Sequence, residues 1–126
     1  MIVDPSGTLH VAWYTGRESA PGLFYTTSDD QGFTFEDPEP LLSSEWVPPS
    51  QVSLSADADG SVWMAWEDRR SDAPSFYYMK REAGGALDAE SGTTQAGTNP
   101  VFTNVEGAPV LAWLEGESVR ARRAAR

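Results

Sequence analysis

Ser28-Asp29-Asp30-Gln31-Gly32-Phe33-Thr34-Phe35 follows directly on Leu23-Phe24-Tyr25-Thr26-Thr27. An apolar run, a turn rich in Asp and Gly, then Thr and aromatics is the pattern of a hairpin. The physics is local. The Asp30 carboxylate is placed to fold back onto backbone N–H groups of the turn, and the Ser28 and Thr34 hydroxyls do the same more weakly. Gly32 supplies a positive φ that other residues resist. Phe33 and Phe35 are expected to return the chain to a strand.

A second pattern recurs around a tryptophan. Asp4-Pro5-Ser6-Gly7-Thr8-Leu9-His10-Val11-Ala12-Trp13 lines up with Asp57-Ala58-Asp59-Gly60-Ser61-Val62-Trp63-Met64-Ala65-Trp66 at an offset of 53 residues. Glu106-Gly107-Ala108-Pro109-Val110-Leu111-Ala112-Trp113 follows at a further 47 residues. Each copy has Gly six positions before Trp and Ala immediately before it. A period near 50 residues belongs to propeller blades and not to helical solenoids. Each copy also alternates as a strand does. Leu9, Val11 and Trp13 point one way and His10, Ala12 and Tyr14 the other; Val62, Met64 and Trp66 oppose Trp63 and Ala65. Bulky residues on one face backed by a small one on the other suit a sheet covered on both sides. Aromatic strands follow at Leu23–Thr27 and Ser75–Met79. Weaker opening strands are expected at Gln51–Ser55 and Pro100–Asn104. Glycines at 84 and 85 argue against a helix over Glu82–Glu90.

Ser28 to Phe35 resembles the Asp-box, or BNR repeat, of the sialidase-like β-propellers. Ser28, Asp30, Gly32, Thr34 and Phe35 fill its defining positions. At the repeat offset the second copy reads Arg81-Glu82-Ala83-Gly84-Gly85-Ala86-Leu87, where the box has decayed but Gly85 stands in the place of Gly32. The resemblance and the period together predict an all-β chain, a partial β-propeller of about two and a half four-stranded antiparallel blades. The first spans 1–44 and lacks its opening strand, the second spans 50–94, and the third spans 99–126 and lacks its closing strand. Propellers close with about four to eight blades. The simpler expectation is therefore a fragment of a longer protein. The sharper one is self-association of copies through their open blade faces.

Composition narrows the partners. The formal net charge is −10, with 19 acidic residues against nine basic. Nucleic acid is disfavoured because phosphate neutralisation needs a basic face, and an anionic membrane is disfavoured for the same reason. No apolar stretch approaches the ~20 residues of a membrane span. The first residues have neither the basic segment nor the apolar run of a signal peptide. The absence of cysteine excludes disulfides and thiolate chemistry and is compatible with either redox compartment. Arg120, Arg122, Arg123 and Arg126 read as a solvated or frayed terminus.

The sequence places few chemical groups where a ligand is expected. The box hairpin joins the third strand of its blade to the fourth, so the loops after second strands and between blades lie at the opposite end. The resemblance puts the ligand face at that end. The candidates there are Arg17, Asp68, Arg70 and Trp46. Sialidases clamp a sugar carboxylate with arginines from several blades and use a tyrosine nucleophile. Arginine suits the clamp because its planar fork binds a carboxylate bidentately. Here Glu117 stands in the third blade where Arg17 and Arg70 stand in the others, no Arg-Ile-Pro motif is present, and no tyrosine is assigned. Asp68 and Arg70 also read as a pair that braces its loop, and Trp46 as packing between blades. No catalytic residue is therefore assigned. No metal site or cofactor is expected: His10 is the only histidine, Asp57 and Asp59 are too few for a calcium loop, and no phosphate or dinucleotide motif occurs. The expected function is that of a non-catalytic propeller segment, a scaffold or a binder of carbohydrate or protein. The alternative is part of an exo-sialidase or related glycoside hydrolase whose catalytic residues lie elsewhere.

Overall fold

The computed structural model of the chain describes residues 1–15, 22–42, 52–68, 75–85 and 93–124. Among them there is strand and turn and no helix. The strands are β1 (Ile2–Val3), β2 (Leu9–Thr15), β3 (Gly22–Ser28) and β4 (Glu39–Leu42). These are followed by β5 (Ser53–Ala56), β6 (Val62–Asp68), β7 (Ser75–Arg81) and β8 (Thr93–Ala96). Last come β9 (Thr98–Val105), β10 (Ala108–Glu115) and β11 (Ser118–Arg123). They form three antiparallel sheets in sequence order: β1–β4, β5–β8 and β9–β11. The fold is all-β, and every sheet is a meander of neighbours along the chain.

The three copies of the repeat are β2, β6 and β10, the second strand of each sheet. Cross-strand partners share a face, so the register shows what each sheet presents. In the first sheet Ala12 lies opposite Tyr25 and Tyr14 opposite Leu23. In the second, Met64 lies opposite Met79 and Trp66 opposite Tyr77. These two faces meet: Leu23, Tyr25, Leu54, Val62, Met64, Trp66, Tyr77 and Met79 form one buried cluster, with Ile2, Ala12 and Tyr14 packed against it. The opposite face of the second sheet carries Trp63, Ala65 and Phe76, which bury against Phe102, Leu111 and Trp113 of the third sheet. The middle sheet is thus covered on both sides, as its alternation predicts. The same strand parity faces the preceding sheet at each junction. Val62, Met64 and Trp66 point back to the first sheet, and Leu111 and Trp113 point back to the second.

The turns repeat too. Asp4 N donates to Thr8 O at 2.9 Å and Gly7 N to Asp4 O at 3.0 Å; Asp57 N donates to Ser61 O at 2.8 Å and Gly60 N to Asp57 O at 3.0 Å. The third copy shortens this to a two-residue turn, with Glu106 at φ 51° and Gly107 at φ 80° between the paired residues Val105 and Ala108. Positive φ at both central residues matches the twist of the flanking strands.

Some local expectations are corrected. Phe33 and Phe35 do not resume a strand: they lie 85% and 47% exposed in the long loop after Ser28, and β4 begins only at Glu39. The reason is that the box turn is followed by a bridge from Glu36 N to Thr27 O at 2.9 Å, which carries the chain past the sheet before pairing resumes. In the second copy the left-handed residue is Gly84 (φ 68°), matching Gln31 (φ 62°), and not Gly85. The arginine-rich end is solvated, with β11 exposed along its length, but it is not frayed through Arg123, since β11 pairs along β10 and Arg120 meets Glu115 at 3.3 Å. Arg126 lies outside the described residues. The third opening strand runs longer than expected, from Thr98 to Val105, with Gly97 alone between it and β8.

Candidate functional site

The box residues come together as a closed turn. Ser28 Oγ donates to Asp30 Oδ1 at 2.8 Å, and Thr34 N donates to the same oxygen at 2.8 Å. Thr34 Oγ1 donates to Asp30 Oδ2 at 2.5 Å, and Gly32 N donates to Ser28 Oγ at 2.9 Å. Gly32 takes φ 90°. The Thr34 hydroxyl, then the Thr34 N–H and the Ser28 hydroxyl, hold the Asp30 carboxyl down at about 2. Ser28, Asp30, Gly32 and Thr34 are united here; Phe35 is not part of the bonded turn. On the face expected to take a ligand, Arg17, Trp46 and Arg70 lie outside the described residues. Asp68 closes β6 at the end away from the box, opposite Ser75, and its side chain also lies outside the description. Glu117 is exposed in the turn between β10 and β11.

The strongest polar constellation is one that the sequence reading missed. It sits at the box end, between the first two sheets. Asp4 precedes β2, and its Oδ1 accepts from Ser6 N at 2.9 Å, Ser6 Oγ at 2.7 Å and Thr8 N at 3.0 Å. Its other oxygen lies 2.8 Å from His10 Nε2. His10 Nδ1 lies 2.5 Å from the Tyr25 hydroxyl. Arg81 Nη1 donates to that hydroxyl at 3.2 Å, and the guanidinium lies over the Tyr25 ring at 5.3 Å. Every contact is satisfied with Arg81 donating to Tyr25, Tyr25 donating to His10 Nδ1, and His10 Nε2 donating to Asp4.

Burial and bonding set the charges. Burial pushes the Asp4 carboxyl upward, but the bonds from His10, Ser6 and Thr8 outweigh it and bring the group to about 2. Burial raises the Tyr25 phenol, partly opposed by the charge and hydrogen bond of Arg81. At neutral pH Asp4 is ionised and Tyr25 keeps its proton. Neither is tuned toward neutrality, as a general acid or base would be. Beside the network lies a cavity of about 400 Å³, walled by Tyr25, Thr26, Glu36, Asp37, Glu39 and Arg81 among others. With three carboxylates against one guanidinium on its wall, it is a poor receptor for an anionic sugar.

The second sheet junction repeats the device. Arg122 of β11 donates to the Tyr78 hydroxyl and lies over its ring at 5.1 Å. Tyr78 stands 53 residues after Tyr25, at the same place on the third strand. Each junction therefore has a tyrosine from one sheet capped by an arginine from the third strand of the next. The available sequence signal was the pair Tyr25 and Tyr78 at the repeat offset, together with an arginine on each following third strand. A second cavity, about 390 Å³, lies where the turns at the box end converge, bordered by Asp4, Ser55, Asp57 and Asn104. Among the described residues no group of three or more His, Cys, Asp or Glu is placed to hold a metal ion. Comparison with protein-family models, with curated proteins and with solved structures returns no match.

Proposed function

We propose that the chain is a non-catalytic segment of a sialidase-like Asp-box β-propeller, serving as a scaffold whose loops bind carbohydrate or protein. One observation carries this reading: among the described residues, the polar side chains that gather into clusters are bonded to one another. The Asp30 carboxylate takes its bonds inside its own turn. Asp4, His10, Tyr25 and Arg81 satisfy one another across a sheet junction. The meander sheets, the repeat near 50 residues and the box all support the propeller assignment. The resemblance puts ligand contacts on the loops at the end opposite the box.

Two measurements on the purified chain test the reading. With a fluorogenic sialoside, release of fluorophore is expected to stay at the buffer rate. On a glycan microarray, any retention is expected to survive Tyr25→Phe, which alters the box end only. Sialoside turnover above the buffer rate would overturn the non-catalytic assignment.

A further inference from the structure

The chain contains two Asp–Pro bonds, Asp4–Pro5 and Asp37–Pro38. Such a bond carries its own reagent. The aspartate carboxylate reaches its own peptide carbonyl carbon through a small ring. The proline nitrogen is a tertiary amide without an N–H, and it takes a proton more readily than other peptide nitrogens. In mild acid a carboxylate oxygen bonds to the carbonyl carbon, the proline nitrogen takes a proton from solvent, and the C–N bond breaks. Water then opens the cyclic anhydride left on the aspartate, so a single water is consumed for each peptide bond cut.

The fold treats the two bonds differently. At Asp4 the reagent is held off. Its Oδ1 accepts from Ser6 N, Ser6 Oγ and Thr8 N, and its Oδ2 lies 2.8 Å from His10 Nε2. The Asp4 carbonyl is fixed as well, accepting from Gly7 N at 3.0 Å. Attack there must first break hydrogen bonds to a charged group, which are the strong ones. Asp37 is exposed, in the loop between β3 and β4. Among the described residues no hydrogen bond or ion pair holds its side chain. The charged and titratable groups that share its cavity wall are Tyr25, Glu36, Glu39 and Arg81. Arg81 turns its Nη1 to the Tyr25 hydroxyl, so the Asp37 carboxylate is left to its own backbone.

We infer that Asp37–Pro38 is a self-cleaving bond: in mild acid the folded chain cuts itself there and spares Asp4–Pro5. The cut leaves the fold standing. On one side, Glu36 N donates to Thr27 O at 2.9 Å and Thr26 Oγ1 donates to Glu36 O at 2.6 Å, which pins the new C-terminus. On the other, Glu39 pairs with Tyr25 and Leu42 with Leu23, and Leu41 is buried in the core. The pieces stay together as a nicked first sheet, with a break in the cavity wall. The chemistry needs neither the propeller assignment nor a ligand.

Incubation of the purified chain at about pH 4, where the bonded Asp4 carboxyl keeps its charge, tests this, with fragments read by mass spectrometry after denaturation. A parallel sample in urea lacks the Asp4 bonds. The folded chain is expected to yield residues 1–37 and 38–126. Cutting at Asp4–Pro5 is expected to be at least about tenfold slower, the factor that a single hydrogen bond to a charged group is worth. In urea both bonds are expected to be cut. Asp37→Asn removes the attacking carboxylate and Asp37→Glu demands a larger ring, so each is expected to lose the cut. Asp37 is exposed, and circular dichroism of both variants is expected to match the parent. On a native sizing column the cut chain is expected to elute with the intact one. Equal cutting of the two bonds in the folded chain would overturn the inference. So would a cut at Asp37–Pro38 that appears only in urea, or in neither sample, and separation of the pieces on the column would overturn the nicked fold.

Discussion

Tyr25→Phe takes one oxygen out of the junction between the first two sheets and leaves the ring in place. Tyr25 is 1% exposed and His10 3%, so water cannot replace the lost hydroxyl without moving the packing. The change deletes the 2.5 Å contact to His10 Nδ1 and the 3.2 Å bond from Arg81 Nη1. The stacking of Arg81 over the ring is kept. A buried acceptor left unpaired costs about 1–3 kcal/mol, and the second bond, from a charged donor, adds about 1.5–3 kcal/mol. The expected loss is therefore roughly 3–6 kcal/mol. For a chain of this length that corresponds to a fall in midpoint temperature of about 4 °C per kcal/mol. The assay is urea unfolding followed by tryptophan fluorescence, with Arg81→Met as the second edge of a double-mutant cycle. The pair touch, so a coupling of about 1 kcal/mol is expected. A Tyr25→Phe loss below about 0.5 kcal/mol, with the two changes additive, would refute the hydrogen-bonded chain.

Other consequences are narrower. Gly97→Ala is expected to cost about 3 kcal/mol or more, because a Cβ there would lie 2.6 Å from Trp113 Cδ1 and 2.7 Å from Leu114 O at a φ of 136°; thermal unfolding reads it. Gln31→Gly is expected to stabilise by up to about 1 kcal/mol, since Gln31 holds φ 62° where the second copy has Gly84 at 68°; an unchanged or lower denaturation midpoint counts against it. Asp4 and Asp30 fall from 3.8 to about 2 on folding, so their contribution is full above pH 3.8 and is lost as pH falls through about 2. The variant with both changed to Asn is expected to show a flatter acid-unfolding curve between those values. Asp30→Ala is expected to speed amide exchange at Thr34, whose N–H loses its acceptor, without changing exchange in β6.

The sheets were legible in the sequence because their signals are periodic. Val62, Met64 and Trp66 against Trp63 and Ala65 foretold a sheet buried on both sides, and both clusters use those residues as expected. The turns were legible where a side chain acts on its own neighbours, as Asp30 does on Thr34. The junction network was not, because its members come from three strands and a turn. Asp4 and His10 are close in sequence, but Tyr25 lies 15 residues beyond His10 and Arg81 56 beyond Tyr25. No local rule links them. Phe33 and Phe35 misled for the opposite reason: strand propensity describes residues that fit a half-buried pleat, and these two have no sheet to lie against.

The absence of the Ser28–Asp30 type of turn from the second copy follows from the same geometry. Arg81 occupies the position of Ser28 at the repeat offset, and each pairs with the residue that opens the tryptophan strand, Val62 and Leu9 respectively. In the first sheet that position anchors its own turn, with Ser28 bridging Asp30 and Gly32. In the second it reaches across to the Tyr25 of its neighbour. A serine is too short for the second task. An arginine lacks the acceptor that Gly32 N finds in Ser28 Oγ. The turn that loses its side-chain clamp keeps its shape by placing Gly84 where the first copy strains Gln31. Restoring serine with Arg81→Ser should therefore leave that turn intact and loosen the junction, lowering stability by roughly the 2–4 kcal/mol of one charged hydrogen bond and one cation–π contact. If Arg81→Ser and Tyr25→Phe proved fully additive in urea unfolding, the exchange of a turn residue for an inter-sheet one would lose its physical basis.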